Sequence, residues 1–215
     1  MTTVAVIDYG MGNIRSVSKA LEYVGGDSQV MVSFDPERIL RAERIVLPGV
    51  GALRDCMAEV HRLELDDVIK ECLQSKPFLG ICLGMQALMD YSSENEGTTG
   101  LGIFPGRVLR FNERLQKQPT PARLKIPHMG WNQVKQIKSH KLWQGIAQDS
   151  RFYFVHSYFV QPDSSDIVTG TTDYGGSFAS VIAQKNIFAV QFHPEKSQHA
   201  GLGLLANFMR WDGVA

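Results

Sequence analysis

The sequence predicts an α/β protein built on a mostly parallel, doubly wound sheet, with an antiparallel-rich C-terminal half. Two patterns carry that expectation. Through Met89, short apolar runs alternate with amphipathic stretches of helical period, a βαβαβαβ succession that builds a parallel sheet with helices on both faces. Beyond that point come closely spaced strand-like segments with polar and glycine-containing turns between them, which suit antiparallel pairing. Length sets the number of units: 215 residues suit one domain, so residues 1–215 are expected to fold together.

Val4-Ala5-Val6-Ile7-Asp8 is apolar without alternation and ends at an acid, as the first strand of a sheet buried on both faces does. Tyr9-Gly10-Met11-Gly12-Asn13 follows as a turn. Asn13 is placed to cap a helix through about Val24, with Ile14, Val17, Ala20, Leu21 and Val24 on one face. The turn is only a weak dinucleotide signal, because Ser16 stands near where the third glycine of that fingerprint would fall. Val30-Met31-Val32 is the second strand, and Asp35-Pro36 reads as N-cap and first residue of a short helix. Arg44-Ile45-Val46-Leu47 is the third strand and breaks at Pro48-Gly49-Val50-Gly51, a loop that presents backbone. Amphipathic helices are expected around Ala52 to Leu63 and Leu65 to Gln74, ahead of a fourth strand at Phe78 to Ile81.

After that strand, Met85, Leu88 and Met89 recur at helical spacing, and Ser92 to Gly100 is polar and glycine-containing. Short strands are expected at Arg107 to Phe111, Trp131 to Lys138, Arg151 to Val160, Ile167 to Thr172 and Phe178 to Gln184. Asn112 to Lys125 carries several charges and two prolines and reads as a solvated surface loop. A last strand, Ile187 to Phe192, runs into His193-Pro194-Glu195.

Cys82 stands where the fourth strand meets its helix, with Gly80 and Gly84 two residues to either side. That is the pattern of a nucleophile elbow, in which a strained turn pushes the central side chain outward and side-chain-free neighbours let strand and helix pack closely. A buried structural cysteine is the bland alternative, since free cysteine is among the most buried residue types. His193-Pro194-Glu195 tips the balance: a thiol nucleophile needs a base, and the base needs an acceptor on its other ring nitrogen. Pro194 restricts the backbone between them, so that both side chains can project to one side of an extended segment.

A G-x-C-x-G elbow followed far downstream by H-P-E, each after an apolar strand, resembles the class I (triad) glutamine amidotransferases. The resemblance implies their fold and the hydrolysis of L-glutamine to glutamate and ammonia through a glutamyl thioester. It gives Cys82 as nucleophile, His193 as base and Glu195 as its orienting group. It also implies an oxyanion hole from the N–H groups of Leu83 and Val50, with Gly51, Gln86, His156, Ser157 and Tyr158 against the substrate. His156 is the rival base, but no acid follows it as Glu195 follows His193.

Pro127-His128-Met129-Gly130-Trp131-Asn132 resembles a segment of one branch of that family, the glutaminase subunits of imidazole glycerol phosphate synthases in histidine biosynthesis. Tyr9 to Asn13, Pro48 to Gly51 and Tyr153 to Tyr158 do so too. This branch implies a heterodimer with a (β/α)8-barrel cyclase, to which Met129, Trp131 and Asn132 would turn. A buried core tryptophan is the plainer reading of Trp131. Related amidotransferases serving another pathway, a cysteine hydrolase on the same sheet and a catalytically silent binding subunit are the competing functions. The last two are weak, because one would not need the Pro127 to Asn132 segment and the other would not keep the triad.

Charge and cysteine content exclude other classes. Lys+Arg 22 against Asp+Glu 22 gives a net charge of +0, with no electrostatic footprint for nucleic acid or an anionic membrane. Three cysteines, Cys56, Cys72 and Cys82, are an odd number without metal-like spacing, which argues for a reducing compartment, the cytoplasm, and against a disulfide framework. His61, His128, His140 and His199 also lack ligand spacing, so no metal and no cofactor are expected. No early apolar run is long enough for a signal peptide or a membrane span.

Overall fold

The computed structural model describes residues 2–111 and 124–214. Most of the predicted Asn112 to Lys125 loop therefore lies outside the described residues. The first half runs β1 (Thr3–Ile7), α1 (Ile14–Val24), β2 (Gln29–Ser33), α2 (Pro36–Arg41), β3 (Arg44–Leu47), α3 (Leu53–Arg62), α4 (Asp66–Ser75), β4 (Phe78–Ile81) and α5 (Leu83–Ala87). The second half runs β5 (Met89–Ser92), β6 (Thr98–Thr99), β7 (Phe104–Arg110), β8 (His128–Gln133), β9 (Lys135–Gln136), β10 (Arg151–His156) and β11 (Tyr158–Pro162). It continues with β12 (Val168–Asp173), β13 (Ser177–Gln184), β14 (Ile187–Val190) and a helix we label α6 (Gln198–Arg210).

The main sheet has the order β2-β1-β3-β4-β14-β13-β11-β7-β5-β6, with β12 joined to β13 and β9 joined to β12. Pairing is parallel from β2 through β14 and antiparallel across β14, β13, β11 and β7. The expected architecture is therefore present. The continuous apolar runs follow from it, because both faces are covered: Val4 and Val6 pack with Leu204, Leu205 and Phe208 of α6, while Ala5 and Ile7 pack on the opposite face with Ile39 of α2 and Ile69 of α4.

Local expectations hold unevenly. Asp35 caps α2, its side chain accepting from the N–H groups of Glu37 and Arg38, with Pro36 opening the helix. Asn13 stands at the N-cap of α1 but makes no side-chain capping bond there. The helix after Cys82 is not the longer amphipathic one that Met85, Leu88 and Met89 suggested: it lasts five residues, all buried, and Met89 opens β5. A segment buried all round shows apolar residues at every spacing, so helical periodicity there carries no phase.

The predicted strand Trp131 to Lys138 is two strands, β8 and β9, and Arg151 to Val160 breaks at Ser157. The first piece, β10, pairs only with β8 in a separate antiparallel ribbon, while β11 joins the main sheet. Pro194 to Lys196 forms a 3₁₀ turn rather than an extended segment. Helix α6 has no counterpart in the sequence reading. Two glycines weaken its pattern, and Gly201 lies so close to the Pro194 carbonyl that any side chain there would collide with it.

Candidate active site

Cys82 leaves β4 at φ 54° and ψ −103°, left-handed backbone that costs a residue with a side chain on the order of 1–3 kcal/mol. The neighbouring strand and short helix hold it there. The Cys82 N–H donates to the Val190 carbonyl at 2.7 Å, and α5 begins at the next residue. Both flanking glycines are needed for this turn: a methyl on Gly84 would collide with the Leu47 carbonyl, and one on Gly80 would come within 3.0 Å of the Gly84 carbonyl oxygen. The elbow expected from Gly80-Ile81-Cys82-Leu83-Gly84 is thus realised, at the carboxyl ends of β3, β4 and β14.

His193 and Glu195 meet beside it. The Nδ1 of His193 lies 2.9 Å from Glu195 Oε1, and the side chains of both are buried. Because an ionised carboxylate can only accept, Nδ1 carries the hydrogen. That leaves Nε2, buried and without a hydrogen-bond partner, as the nitrogen able to exchange protons. Burial by itself would lower the basicity of His193; the sulfur of Cys82 and the carboxylate of Glu195 outweigh it and raise the pKa well above the ordinary histidine value. Ser197 Oγ donates to the His193 carbonyl at 2.6 Å and accepts from the Tyr153 N–H at 2.9 Å, and the His193 N–H donates to the Tyr153 carbonyl at 2.9 Å. His193 is therefore fastened by its backbone to β10.

A cavity of about 320 Å³ opens on Cys82, lined also by Val50, Gly51, Leu83, Gln86 and Glu94 along with the Val155 to Tyr158 segment and Pro127. A larger cavity of about 690 Å³ lies between β11 and β13 and offers neither cysteine nor histidine, so size does not pick the site here. Glu94 is the one carboxylate among the described residues that line the smaller cavity, and its Oε2 accepts from the Leu53 N–H at 2.9 Å. The sequence reading missed it, because Ser92 to Gly100 looked like an ordinary polar turn.

The oxyanion donors expected from Val50 and Leu83 are not arranged to bind an anion. The Leu83 N–H donates to the Gly49 carbonyl over a long 3.4 Å. The C=O and N–H of a trans peptide point in opposite directions, so the Val50 N–H of that same peptide faces away from Leu83. Gly49 tolerates this close approach only because it lacks a side chain; a methyl would strike the Tyr9 hydroxyl and come within 2.7 Å of Leu83 Cβ. Tyr9, whose hydroxyl donates to the Pro48 carbonyl at 2.7 Å, ties the loop to the end of β1. Gly51 sits at φ +99° on the cavity wall.

The remaining expected substrate residues are largely committed to one another. Gln86 donates through Nε2 to the Tyr158 carbonyl at 3.2 Å and to Gln191 Oε1 at 3.1 Å, which leaves its Oε1 as what it can offer a ligand. Both ring nitrogens of His156 are engaged: Nδ1 with the Tyr158 carbonyl at 2.7 Å and Nε2 with His128 Nδ1 at 2.8 Å. His156 therefore supplies cavity wall rather than a free ring nitrogen. Asn132, expected to face a partner, turns its amide inward, to His128 Nε2 at 3.2 Å and the Asp173 carbonyl at 2.9 Å. Met129 and Trp131, by contrast, are 62% and 43% exposed on the β8–β10 ribbon. Trp131 is not a core residue.

The two histidines on this ribbon have lowered pKa values, His128 at about 4 through burial and His156 at about 3 through burial and the proximity of His128 and His193, against a raising contribution from the Tyr158 carbonyl. Groups neutral in the fold but protonated when unfolded make the unfolded state bind more protons in acid. Stability conferred by their neutral pairing is thus full above about pH 6.5 and lost as pH falls toward the folded values, by on the order of 1–3 kcal/mol. Urea unfolding of wild type and His128→Asn across that range is expected to show a smaller acid loss in the variant; equal losses would mean that the histidine pair is not responsible.

The match to known proteins agrees with this geometry. The model of the family "Glutamine amidotransferase class-I" matches residues 5–211. The chain belongs to that family. The amidotransferase is 58% identical over 215 residues to "Imidazole glycerol phosphate synthase subunit HisH" of Nitrosococcus oceani, covering 100% of both chains. It is 54% identical over 214 residues to the protein of the same description in Nitrosospira multiformis, again over 100% of both. Among solved structures it resembles PurLQS from Thermotoga maritima with a TM-score of 0.70 at 17% identity, covering 97% of this chain and 98% of that one, a likeness of fold. No helix among the described residues is long and apolar enough to cross a membrane, and no cluster of three metal-ligating side chains occurs among them.

Proposed function

We propose that this amidotransferase is the glutaminase subunit of an imidazole glycerol phosphate synthase in histidine biosynthesis, acting in the cytoplasm as one domain with a (β/α)8-barrel cyclase as its partner. The observation that carries the reading is the line of three groups at the strand ends: Cys82 on its strained elbow, His193 with a vacant Nε2, and Glu195 on the opposite ring nitrogen. Cys82 Sγ attacks the side-chain amide carbon of L-glutamine. The amide π electrons move onto oxygen, and Nε2, having taken the thiol proton, returns it to the departing nitrogen as the C–N bond breaks and ammonia leaves. Water then adds to the glutamyl thioester with Nε2 as base, and collapse releases glutamate and the thiol. Glu94, the one carboxylate among the described lining residues, takes the α-ammonium group of the substrate.

Ammonia would pass to the cyclase, which spends it on imidazole formation, and the exposed Met129 and Trp131 give the β8–β10 ribbon the apolar anchors of a docking surface. Glu195→Gln tests the triad. An amide can hold His193 in the other tautomer, with Nε2 carrying the hydrogen and unable to act as base. In the complex with the cyclase, glutaminase kcat is expected to fall by about 10³-fold while KM stays close to wild type. A variant as fast as wild type would reduce Glu195 to a buried carboxylate with no part in turnover.

A further inference from the structure

Gln191 is fully buried and follows the last residue of β14, while Cys82 follows the last residue of β4. These strands are parallel neighbours with Val190 opposite Ile81, so the register sets Gln191 beside the nucleophile. Its Nε2 lies 3.6 Å from Cys82 Sγ, an ordinary separation for an N–H donating to a sulfur acceptor. Which end of the carboxamide faces the sulfur is fixed by its neighbours. A backbone carbonyl can only accept, so the atom of Gln86 that lies 3.2 Å from the Tyr158 oxygen is its NH₂ group. The second hydrogen of that NH₂ points to a Gln191 atom 3.1 Å away, which must then be Oε1. The Gln191 NH₂ is left to face Cys82.

The Tyr158 carbonyl that anchors this pair has a second donor, His156 Nδ1. With Nδ1 donating, His156 Nε2 is the acceptor for His128 Nδ1–H, and His128 Nε2 accepts in turn from Asn132 Nδ2. All of these side chains but Asn132 are buried, and each contact along the chain from Asn132 to Gln191 pairs a donor with an acceptor. The amide beside the sulfur therefore cannot turn over without leaving a buried group unpaired, which makes its orientation rigid.

We propose that Gln191 is a further catalytic residue of this site: its carboxamide donates a hydrogen bond to Cys82 Sγ, holding the sulfur toward the cavity and stabilising the negative charge it acquires once His193 has taken its proton. The proposal rests on the glutaminase reading for its consequence in turnover, but the contact itself needs no substrate. Nothing in the His193–Glu195 pair duplicates the role, since His193 Nε2 must leave the sulfur to serve the leaving nitrogen. A neutral donor that stays in place can accompany the sulfur through attack and through thioester breakdown.

The test uses the complex with the cyclase and two variants, Gln191→Leu, of similar volume without a donor, and the near-isosteric Gln191→Glu. The first readout is the rate at which iodoacetamide alkylates Cys82, followed on its own peptide by mass spectrometry, so the buried Cys56 and Cys72 do not interfere. Loss of one hydrogen bond to a charged acceptor is expected to slow alkylation in Gln191→Leu by about 10-fold or more and to lower glutaminase kcat by about 10–100-fold, with KM within about twofold. In Gln191→Glu a protonated carboxyl can donate and a carboxylate cannot. The ratio of its alkylation rate to that of wild type is therefore expected to rise as pH is lowered from about 9 to about 6. Wild-type alkylation in Gln191→Leu, or a Gln191→Glu ratio that does not change with pH, would overturn the proposal even if kcat fell, because a packing role moves neither. If Gln191→Leu does not fold, the pH-dependent ratio in Gln191→Glu decides alone. Alkylation involves no glutamine, so these outcomes stay separate from any failure of the glutaminase reading itself.

Discussion

Cys82→Ser is expected to abolish glutamine-dependent ammonia production, lowering kcat by about 10⁴-fold or more, while the cyclase partner still turns over with added ammonium. A serine hydroxyl keeps the size and the strained backbone of the elbow but is almost never ionised near neutral pH, so it is a far poorer nucleophile than a thiolate. The strain at φ 54° is a property of the backbone and is carried equally by both residues. Folding and docking should therefore survive, and the ammonium-dependent reaction reports that they do. Glutamine hydrolysis at the wild-type rate in this variant would end the thioester mechanism.

What the sequence made legible was whatever one strand or one short motif could carry alone. Val4 to Ile7, Arg44 to Leu47 and Phe78 to Ile81 lie in a parallel sheet because continuous apolar runs have no other economical burial, and all three are strands in it. The elbow was readable because glycines two residues to either side of a cysteine have a single steric purpose, and the Leu47 carbonyl shows what Gly84 makes room for. Glu195 was readable from its closeness in sequence to His193, although the 3₁₀ turn at Pro194, not an extended backbone, is what brings them together.

What remained hidden depends on lateral placement. Gln191 touches Cys82 only through the register of β14 against β4, which are more than a hundred residues apart in the chain and whose pairing no local pattern announces. The break at Ser157 was concealed because aromatic and apolar residues run through both β10 and β11, yet the two strands belong to different sheets. The inward turn of Asn132 depends on a partner, His128, that is itself held by His156 at the end of β10. The direction of the Gly49–Val50 peptide is likewise a matter of one rotation, which residue types do not encode.

That peptide governs the second large effect, and with it the proposal that this amidotransferase pairs a Cys82–His193–Glu195 triad with a closed oxyanion hole. As it stands, the Leu83 N–H is occupied by the Gly49 carbonyl and the Val50 N–H points away, so an oxyanion formed at the substrate would meet neither donor. Each such donor contributes about 2.7–4 kcal/mol to the transition state. The lock is weak: it is one long hydrogen bond of 3.4 Å, in a loop where Gly49 and Gly51 flank Val50 and Gly51 already holds a positive φ. A partner that favours the rotated peptide stabilises the transition state without adding a contact to bound glutamine, and its effect falls on kcat.

The measurement that tests this most directly is steady-state glutaminase kinetics on the isolated chain, on its complex with the cyclase, and on that complex with the cyclase's nucleotide ligand bound. The closed hole predicts a poor glutaminase alone and a rise in kcat of about 10²–10³-fold in the liganded complex, with KM changed far less. Equal kcat in all three conditions would contradict it, and a gain confined to KM would place the coupling in substrate binding rather than in the oxyanion hole.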